Sequence, residues 1–203
     1  MALRIGCVSY LNSKPLVWGL AADPDLRIVY DVPARLLDLL ERDGCDVALL
    51  PAIDYQRADD LVMVPSACIG ADGPVYTVRL YARVPCYKVR KVFADIESHT
   101  SVALCRILLH FLHGQEVTLV EDRESADAVL LIGDKVVTAA PREFIYQMDL
   151  ADAWKQWTGL PFVFATWMTR RGRDIADVPQ KLKAAMLGGM DHIDEIVAAE
   201  AEA

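Results

Sequence analysis

The sequence lacks any apolar stretch long enough to cross a bilayer, and its first residues do not pair a basic segment with an apolar one. We therefore expect neither a membrane span nor a secretory signal. Basic residues are few, since 21 lysines and arginines stand against 29 aspartates and glutamates, for a net charge of −8. A nucleic-acid partner is disfavoured, because phosphate binding needs a basic face. The sequence favours a cytoplasmic protein that binds neither nucleic acid nor membrane.

Several chemical signatures are also missing. The cysteines form no C-x-x-C pair and lie in apolar surroundings, which favours buried free thiols in a reducing compartment; they are Cys7, Cys45, Cys68, Cys86 and Cys105. No G-x-G-x-x-G, Walker or G-x-S-x-G pattern occurs, so nucleotide binding and serine-hydrolase chemistry are unsupported. His110 and His113 share a helix face with Arg106, but no third ligand lies nearby. A solvated helix face is therefore favoured over a metal site.

What is present is an alternation of strand-like and helix-like segments. The strand "LRIGCVS" leads to a helix predicted over Lys14–Ala22, and "LRIVYDV" leads to a helix opened by Pro33. "CDVALLPA" is typical of a strand buried on both faces of a parallel sheet. The pattern restarts after Pro85 with "RKVFAD", a helix over Val102–His113 and "ADAVLLIGD". We predict two α/β lobes, 1–84 plus 172–203 and 85–171, with a ligand cleft between them.

Polar corners follow several of these strands. "SYLNS" follows the first strand, "SHTS" precedes the helix of the second lobe, and "LIGD" ends an apolar strand. At the second corner, His99, Thr100 and Ser101 either cap the helix or use its N–H groups to bind a carboxylate, and both interpretations stay open. A fourth segment, "WKQWTGLPFVFATW", is rich in aromatic residues. For Trp154 and Trp157 we favour packing over a cleft wall.

These stretches together resemble one known family. "RIGCVSYLNSKPLVWGL", "DVALLPAIDYQR", "CIGADGPVYTVRLY", "SHTSVALCRILL", "LLIGDKV" and "DLADAWKQWTGLPFVFATW" occur in the order seen in the menaquinone-biosynthesis A family, the chorismate dehydratases of the futalosine route. The resemblance is weaker to the sister enzyme that cleaves cyclic dehypoxanthine futalosine. It implies a two-lobed fold similar to type II periplasmic binding proteins. It also implies a hydro-lyase that removes water from chorismate to give 3-[(1-carboxyvinyl)oxy]benzoate, with no metal or redox cofactor.

The resemblance also implies a set of site residues. Asn12 matches a functional asparagine of the family, and Thr77 falls where the family usually has a serine hydroxyl. Threonine offers the same hydroxyl, but its methyl group takes space and stiffens the rotamer. Because neither side chain is a base near neutral pH, we hypothesise that a substrate carboxylate, positioned by both residues, takes the proton. The residues expected to bind substrate are Ser9, Gly73, His99, Thr100, Ser101, Gly133 and Asp134.

Some alternatives stay open. Asp134 either hydrogen-bonds the ring hydroxyl of the substrate or caps the following helix. A terminal helix predicted over Val178–Ala199 is followed by little more chain, whereas family members usually continue, so we expect an apolar surface that a homodimer would cover. The rival function is a non-catalytic intracellular protein that binds a small aromatic or cyclic carboxylate. A transporter's solute receptor is disfavoured by the missing export signal.

Overall fold

The computed structural model describes residues 2–94, 98–133, 135–141 and 143–201. Its strands are β1 (Leu3–Cys7), β2 (Leu26–Tyr30), β3 (Val47–Pro51), β4 (Leu61–Ala71), β5 (Val78–Ala82), β6 (Lys91–Ala94), β7 (Thr118–Val120), β8 (Ala128–Ile132), β9 (Tyr146–Asp149) and β10 (Phe162–Arg170). Its α-helices are α1 (Pro33–Glu41), α2 (His99–His113), α3 (Lys135–Thr138), α4 (Leu150–Thr158), α5 (Val178–Asp191) and α6 (Ile193–Ala201). Short 3₁₀ helices cover Leu11–Val17, Leu20–Ala22, Ala52–Gln56 and Cys86–Lys88.

The chain divides into two compact units. One is formed by residues 1–69 and 164–203, and the other by residues 70–163. Both boundaries fall earlier along the chain than the sequence-based limits at 84/85 and 171/172. The reason is strand pairing: β5, expected in the first lobe, pairs antiparallel with β8 and with β9 in the second unit. The chain therefore crosses to the second unit before β5.

The first unit is built on a sheet with the strand order β2-β1-β3-β10-β4. β1 runs parallel to both β2 and β3, and β10 pairs antiparallel with β3. Every residue of β3 is buried, as its continuous apolar run predicts, although its sheet is mixed rather than wholly parallel. Fully buried side chains of the strands and helices form the core, among them Ile5, Leu36, Leu40, Leu50, Trp167 and Leu182.

The second unit has the sheet order β7-β6-β8-β5-β9. β6 runs parallel to β7 and β8, and β5 lies antiparallel to its two neighbours. α2 covers this sheet with Leu104, Leu108 and Leu109, which are at most 1% exposed. It ends at Gly114, whose left-handed φ of 64° suits a residue without a side chain.

Two helix predictions are wrong in detail. The segment predicted as a helix over Lys14–Ala22 forms two 3₁₀ helices, and the first starts at Leu11. Pro15 therefore lies inside that helix, where its missing N–H disfavours a regular α-helix. The single terminal helix predicted over Val178–Ala199 is divided into α5 and α6 at His192. The His192 ring stacks on Trp18, with 5.0 Å between the ring centroids.

The cysteine prediction holds for three residues and is wrong for one. Cys7, Cys45 and Cys105 are buried, and burial raises the pKa of Cys105 to about 12. Cys86 is half-buried, whereas Cys68 is exposed on β4. Alternating burial along β4 places Cys68 on the solvent side, and the apolar residues around it in the sequence do not reveal this.

Candidate functional site

The corner after β1 presents polar side chains to solvent. Ser9 and Asn12 are exposed, whereas Ser13 is fully buried. The Ser13 hydroxyl oxygen lies 2.6 Å from the Val8 carbonyl oxygen and 2.7 Å from the Tyr10 carbonyl oxygen, and its one proton is shared between these two acceptors. These bonds tie the end of the strand to the 3₁₀ helix. Ser13 thereby fixes the backbone that carries Asn12, a role that the sequence pattern did not assign to it.

This corner contains no ready nucleophile. Burial raises the pKa of Cys7 to about 11, although a hydrogen bond with Ser13 opposes the shift. A thiol with so high a pKa stays neutral near pH 7, and a neutral thiol is a poor nucleophile. The exposed groups of the corner are therefore hydroxyl and amide donors and acceptors. They suit binding and orientation of a polar ligand rather than covalent catalysis.

In the second unit, strand pairing brings several predicted residues to one sheet edge. β5 runs antiparallel to β8, so Thr77, just before β5, lies beside Gly133, just after β8. The Gly133 N–H donates to the Thr77 carbonyl oxygen at 2.8 Å. Gly133 has a φ of 59°, a left-handed conformation that glycine adopts without steric cost. Thr77 and Gly133 are thus held together by a backbone hydrogen bond.

Thr77 is the last residue of a tightly bent loop. Its N–H donates to the Val75 carbonyl at 2.7 Å, and its hydroxyl lies 3.3 Å from the same oxygen. Gly73 is buried with a φ of 124°, and Tyr76 has a φ of 60°, which is uncommon for a residue with a side chain. The loop is therefore a defined turn whose conformation fixes the backbone position of Thr77.

The N-terminus of α2 lies at the same edge, because α2 follows β6 and β6 is parallel to β8. The helix is capped by Ser98, whose hydroxyl oxygen accepts the Ser101 N–H at 3.4 Å and lies 2.7 Å from the Ser101 hydroxyl oxygen. Thr100 and Ser101 are buried, and His99 is half-buried. The capping residue, Ser98, thus lies one position before the three predicted residues, His99, Thr100 and Ser101. The Ser101 hydroxyl already has a partner in Ser98.

The predicted site residues are therefore divided between the units. Ser9 and Asn12 belong to the first unit. The second unit brings Thr77, Gly133 and the N-terminus of α2 to the carboxyl ends of parallel strands, where open α/β sheets bind ligands. Asp134 lies outside the described residues.

One residue at this edge was missed by the sequence reasoning. Asp149 ends β9, and its carboxylate accepts the N–H groups of Val75 and Tyr76, at 3.1 and 2.7 Å for Oδ2. Its Oδ1 accepts the first N–H groups of α4. The sequence contains a signal for the helix cap, since an aspartate directly precedes "LADAW". The contact with residues 74 positions earlier has no local signal.

The remaining candidates have structural roles. His110 Nδ1 pairs with Glu116 at 2.6 Å, and the described residues contain no group of three side chains suited to a metal. Trp154 contacts the rings of Phe162 and Trp157, which agrees with the packing role favoured for it. Trp157 also stacks on Phe111, and it is 42% exposed. A groove of about 450 Å³ between the end of α2 and α4 contains none of the predicted site residues.

Comparison with known proteins identifies the family. A family model described as menaquinone biosynthesis matches residues 3–203. The chain belongs to this menaquinone biosynthesis family. A chorismate dehydratase from Thermus thermophilus is 31% identical over an alignment of 222 positions, gaps included, which covers 97% of this chain and 81% of that protein. The family assignment agrees with the resemblance found in the sequence.

Solved structures agree with the predicted fold class. A crystal structure of an Archaeoglobus fulgidus protein matches with a TM-score of 0.70 at 15% identity, covering 98% of this chain and 80% of that one. A Candida albicans protein described as having the generic periplasmic binding protein fold matches with a TM-score of 0.60 at 13% identity, covering 98% and 75%. This chain thus has the α/β fold of periplasmic binding proteins. Among the described helices, none is long and apolar enough to cross a membrane.

Proposed function

We propose that this protein is a chorismate dehydratase of menaquinone biosynthesis. The observation that carries the proposal is the 31% identity to the Thermus thermophilus chorismate dehydratase over 97% of the chain. The family match over residues 3–203 supports the pathway. The exposed Ser9 and Asn12 side chains in the first unit, and the N-terminus of α2 in the second, are each suited to a polar or anionic ligand.

The proposed reaction is a loss of water. The C3–H bond of chorismate breaks, its electron pair forms a ring double bond, and the C4–O bond breaks to release the hydroxyl with a proton as water. The ring becomes aromatic, so the products are strongly favoured. The protein's task is to orient the dianion and to stabilise the charge that develops as the hydroxyl leaves. In class, the enzyme is a carbon–oxygen lyase.

We assign the orienting role to Asn12 and Thr77. Asn12 is exposed on a corner that Ser13 holds rigid, and Thr77 ends a turn fixed by backbone hydrogen bonds. Neither is a base near neutral pH, so a substrate carboxylate takes the C3 proton in this proposal. Backbone N–H groups at the start of α2 would offset the remaining negative charge. Ser9, Gly73 and Gly133 would complete the binding surface.

Incubation of the purified protein with chorismate tests the proposal. Chorismate decays by itself, so the product must be identified by chromatography against a protein-free control. Formation of 3-[(1-carboxyvinyl)oxy]benzoate above that control supports the dehydratase. A rise in melting temperature with chorismate but no product contradicts it and favours the carboxylate-binding protein. If neither product nor a thermal shift is observed, both functions are contradicted. The cytoplasmic location and the homodimer remain predictions.

A further inference from the structure

The carboxylate of Asp149 joins two parts of the second unit. Its side chain is 7% exposed. Oδ1 accepts the N–H groups of Ala151 and Asp152, both at 3.1 Å, and so caps α4. Oδ2 accepts the N–H groups of Val75 and Tyr76, at 3.1 and 2.7 Å. The Val75 N–H also lies 3.3 Å from Oδ1, so Oδ1 caps the helix and reaches Val75, whereas Tyr76 is bound by Oδ2 alone among the bonds found for its N–H.

Tyr76 is held on both sides of its backbone. Its N–H is bound by Asp149, and its carbonyl oxygen accepts from Nε of Arg79 at 3.2 Å. The Arg79 guanidinium also lies 3.9 Å from Oδ2 of Asp149. The φ of 60° at Tyr76 is costly for a residue with a side chain, and it persists only where neighbouring groups fix it. Asp149 and Arg79 supply those fixed partners.

The position of Thr77 depends on this turn. The Thr77 N–H is bound to the Val75 carbonyl, and the Thr77 carbonyl is bound to Gly133. With both backbone groups engaged, the Thr77 hydroxyl has little freedom apart from its side-chain rotamer. A movement of Val75 and Tyr76 would therefore move the hydroxyl.

We infer that Asp149 is a positioning residue that holds the 75–77 turn and thereby places the Thr77 hydroxyl for reaction. The inference rests on the proposed function in one respect, namely that Thr77 works on the substrate. A second link between α4 and this loop joins Lys155 and Asp72 at 2.5 Å, but both side chains are at least one third exposed. Exposed ion pairs contribute little to rigidity, so the buried carboxylate is the main restraint.

The substitution Asp149→Asn separates the two roles of the carboxylate. An asparagine oxygen still caps α4, since Asn and Asp are comparable caps. Its NH₂ group then replaces Oδ2 and opposes the N–H of Tyr76, which loses its acceptor, while the Val75 N–H keeps only its longer bond to Oδ1. Asp152→Asn is the matched control, because it removes the same charge from the first turn of α4, where Asp152 Oδ2 accepts only the Gln156 amide among the bonds found for that atom.

Two measurements decide the inference. In wild type we expect slow amide exchange at Val75 and Tyr76; in Asp149→Asn we expect it to be at least tenfold faster, with no such change in Asp152→Asn. We expect kcat to fall at least tenfold in Asp149→Asn, with a smaller change in KM. In a Thr77→Ala background the same substitution should change kcat less than threefold, because there is no hydroxyl left to misplace.

Unchanged exchange at both amides, or an equal fall in kcat with and without Thr77, would overturn the inference. If Asp149→Asn fails to fold, Asp149→Ser keeps a cap but cannot span to the turn, and the same outcomes apply. A wild-type protein without turnover contradicts the proposed function instead. The exchange rates then still decide whether Asp149 holds the turn.

Discussion

The sheets of the two units have the same strand order and directions over four strands, but the segments that follow their central strands differ. In each sheet the first of three parallel strands lies between the other two, and an antiparallel strand borders the third. Asp46 and Asp127 precede the equivalent strands β3 and β8. Each donates its backbone N–H to the central strand, to Arg4 and Lys91 respectively, at 2.8 and 2.9 Å. The plan is therefore repeated, although the sequence shows no repeat over its length.

The corners after the central strands are built differently. In the first unit, β1 leads to a 3₁₀ helix that the buried Ser13 hydroxyl bonds to the end of the strand, and Asn12 is exposed. In the second unit, a fifteen-residue α-helix starts at the corner and buries Thr100 and Ser101. One unit thus offers side chains, and the other offers a helix N-terminus beside Thr77. Two sheets with the same strand order therefore carry different groups after their central strands.

The largest effect on stability should come from Gly189 in α5. A Cβ at Gly189 would lie 2.2 Å from the Pro15 carbonyl oxygen and 2.5 Å from its Cα, far inside contact distance. Gly189→Ala should therefore separate α5 from the 3₁₀ helix and lower the free energy of unfolding by about 3 kcal/mol. Urea unfolding followed by circular dichroism measures the change.

The neighbouring glycine is the control. A Cβ at Gly188 would lie 3.3 Å from Trp18 Cδ1, a contact that a small shift relieves. Gly188→Ala should change stability by less than about 1 kcal/mol, because the better helix propensity of alanine offsets the crowding. Equal losses from both substitutions would show that the close approach to Pro15 is not the cause.

The next largest difference in stability should separate the two equivalent aspartates, Asp46 and Asp127. Asp46 is almost completely buried and accepts from the Arg4 N–H, from the Arg4 guanidinium and from Arg173. Asp127 is half-buried and accepts only backbone N–H groups among the bonds found for its carboxylate. Asp46→Asn should cost about 2 to 3 kcal/mol at pH 7, and Asp127→Asn about 1 kcal/mol. A reversed order would contradict the importance given to the arginines.

Asp46 also predicts a pH dependence. Burial opposes its ionisation, but the hydrogen bonds from Arg4 and Arg173 outweigh burial and lower the pKa of Asp46. A lowered folded-state pKa contributes stability above the unfolded value near 4, and this contribution is lost as pH falls through the folded value. Wild type should therefore lose stability below about pH 4. Asp46→Asn should lack that component in melting curves recorded from pH 7 to pH 2.

The two corner serines form the last comparison, and their expected losses of stability do not exceed that of Asp46→Asn. Ser13→Ala removes a hydroxyl that binds two carbonyl oxygens, and should cost about 2 kcal/mol because buried acceptors lose their donor. Ser98→Ala removes the α2 cap and should cost about 1 kcal/mol. Thermal unfolding of both variants ranks them. A larger loss for Ser98→Ala would contradict the account of the first corner.

Local sequence pattern predicted half of the strands. The apolar runs that became β1, β2, β3, β6 and β8 lie where they were expected, and the longest runs became β3 and β8, which are buried along nearly their whole length. The family resemblance and the fold class are confirmed by the family match and by the structural neighbours. The helix α1 also begins at its predicted proline.

Long-range contacts explain what the sequence could not predict. The 3₁₀ form of Leu11–Val17 depends on Ser13 and on α5, which approaches from a distant part of the chain. The unit boundary before β5 depends on its pairing with β8 and β9. The contact of Asp149 with Tyr76 joins residues 73 positions apart. Periodicity reports local burial, so none of these partners could be read from it.

The most direct test of the account is the rate at which 3-[(1-carboxyvinyl)oxy]benzoate forms from chorismate in wild type, Asn12→Asp, Thr77→Ala and Thr77→Ser. The account predicts turnover in wild type and in Thr77→Ser, which keeps the hydroxyl. It predicts a loss of about a hundredfold in each of the other two, whose orienting group is lost or made anionic. Wild-type rates in both Asn12→Asp and Thr77→Ala, with folding unchanged, would contradict it.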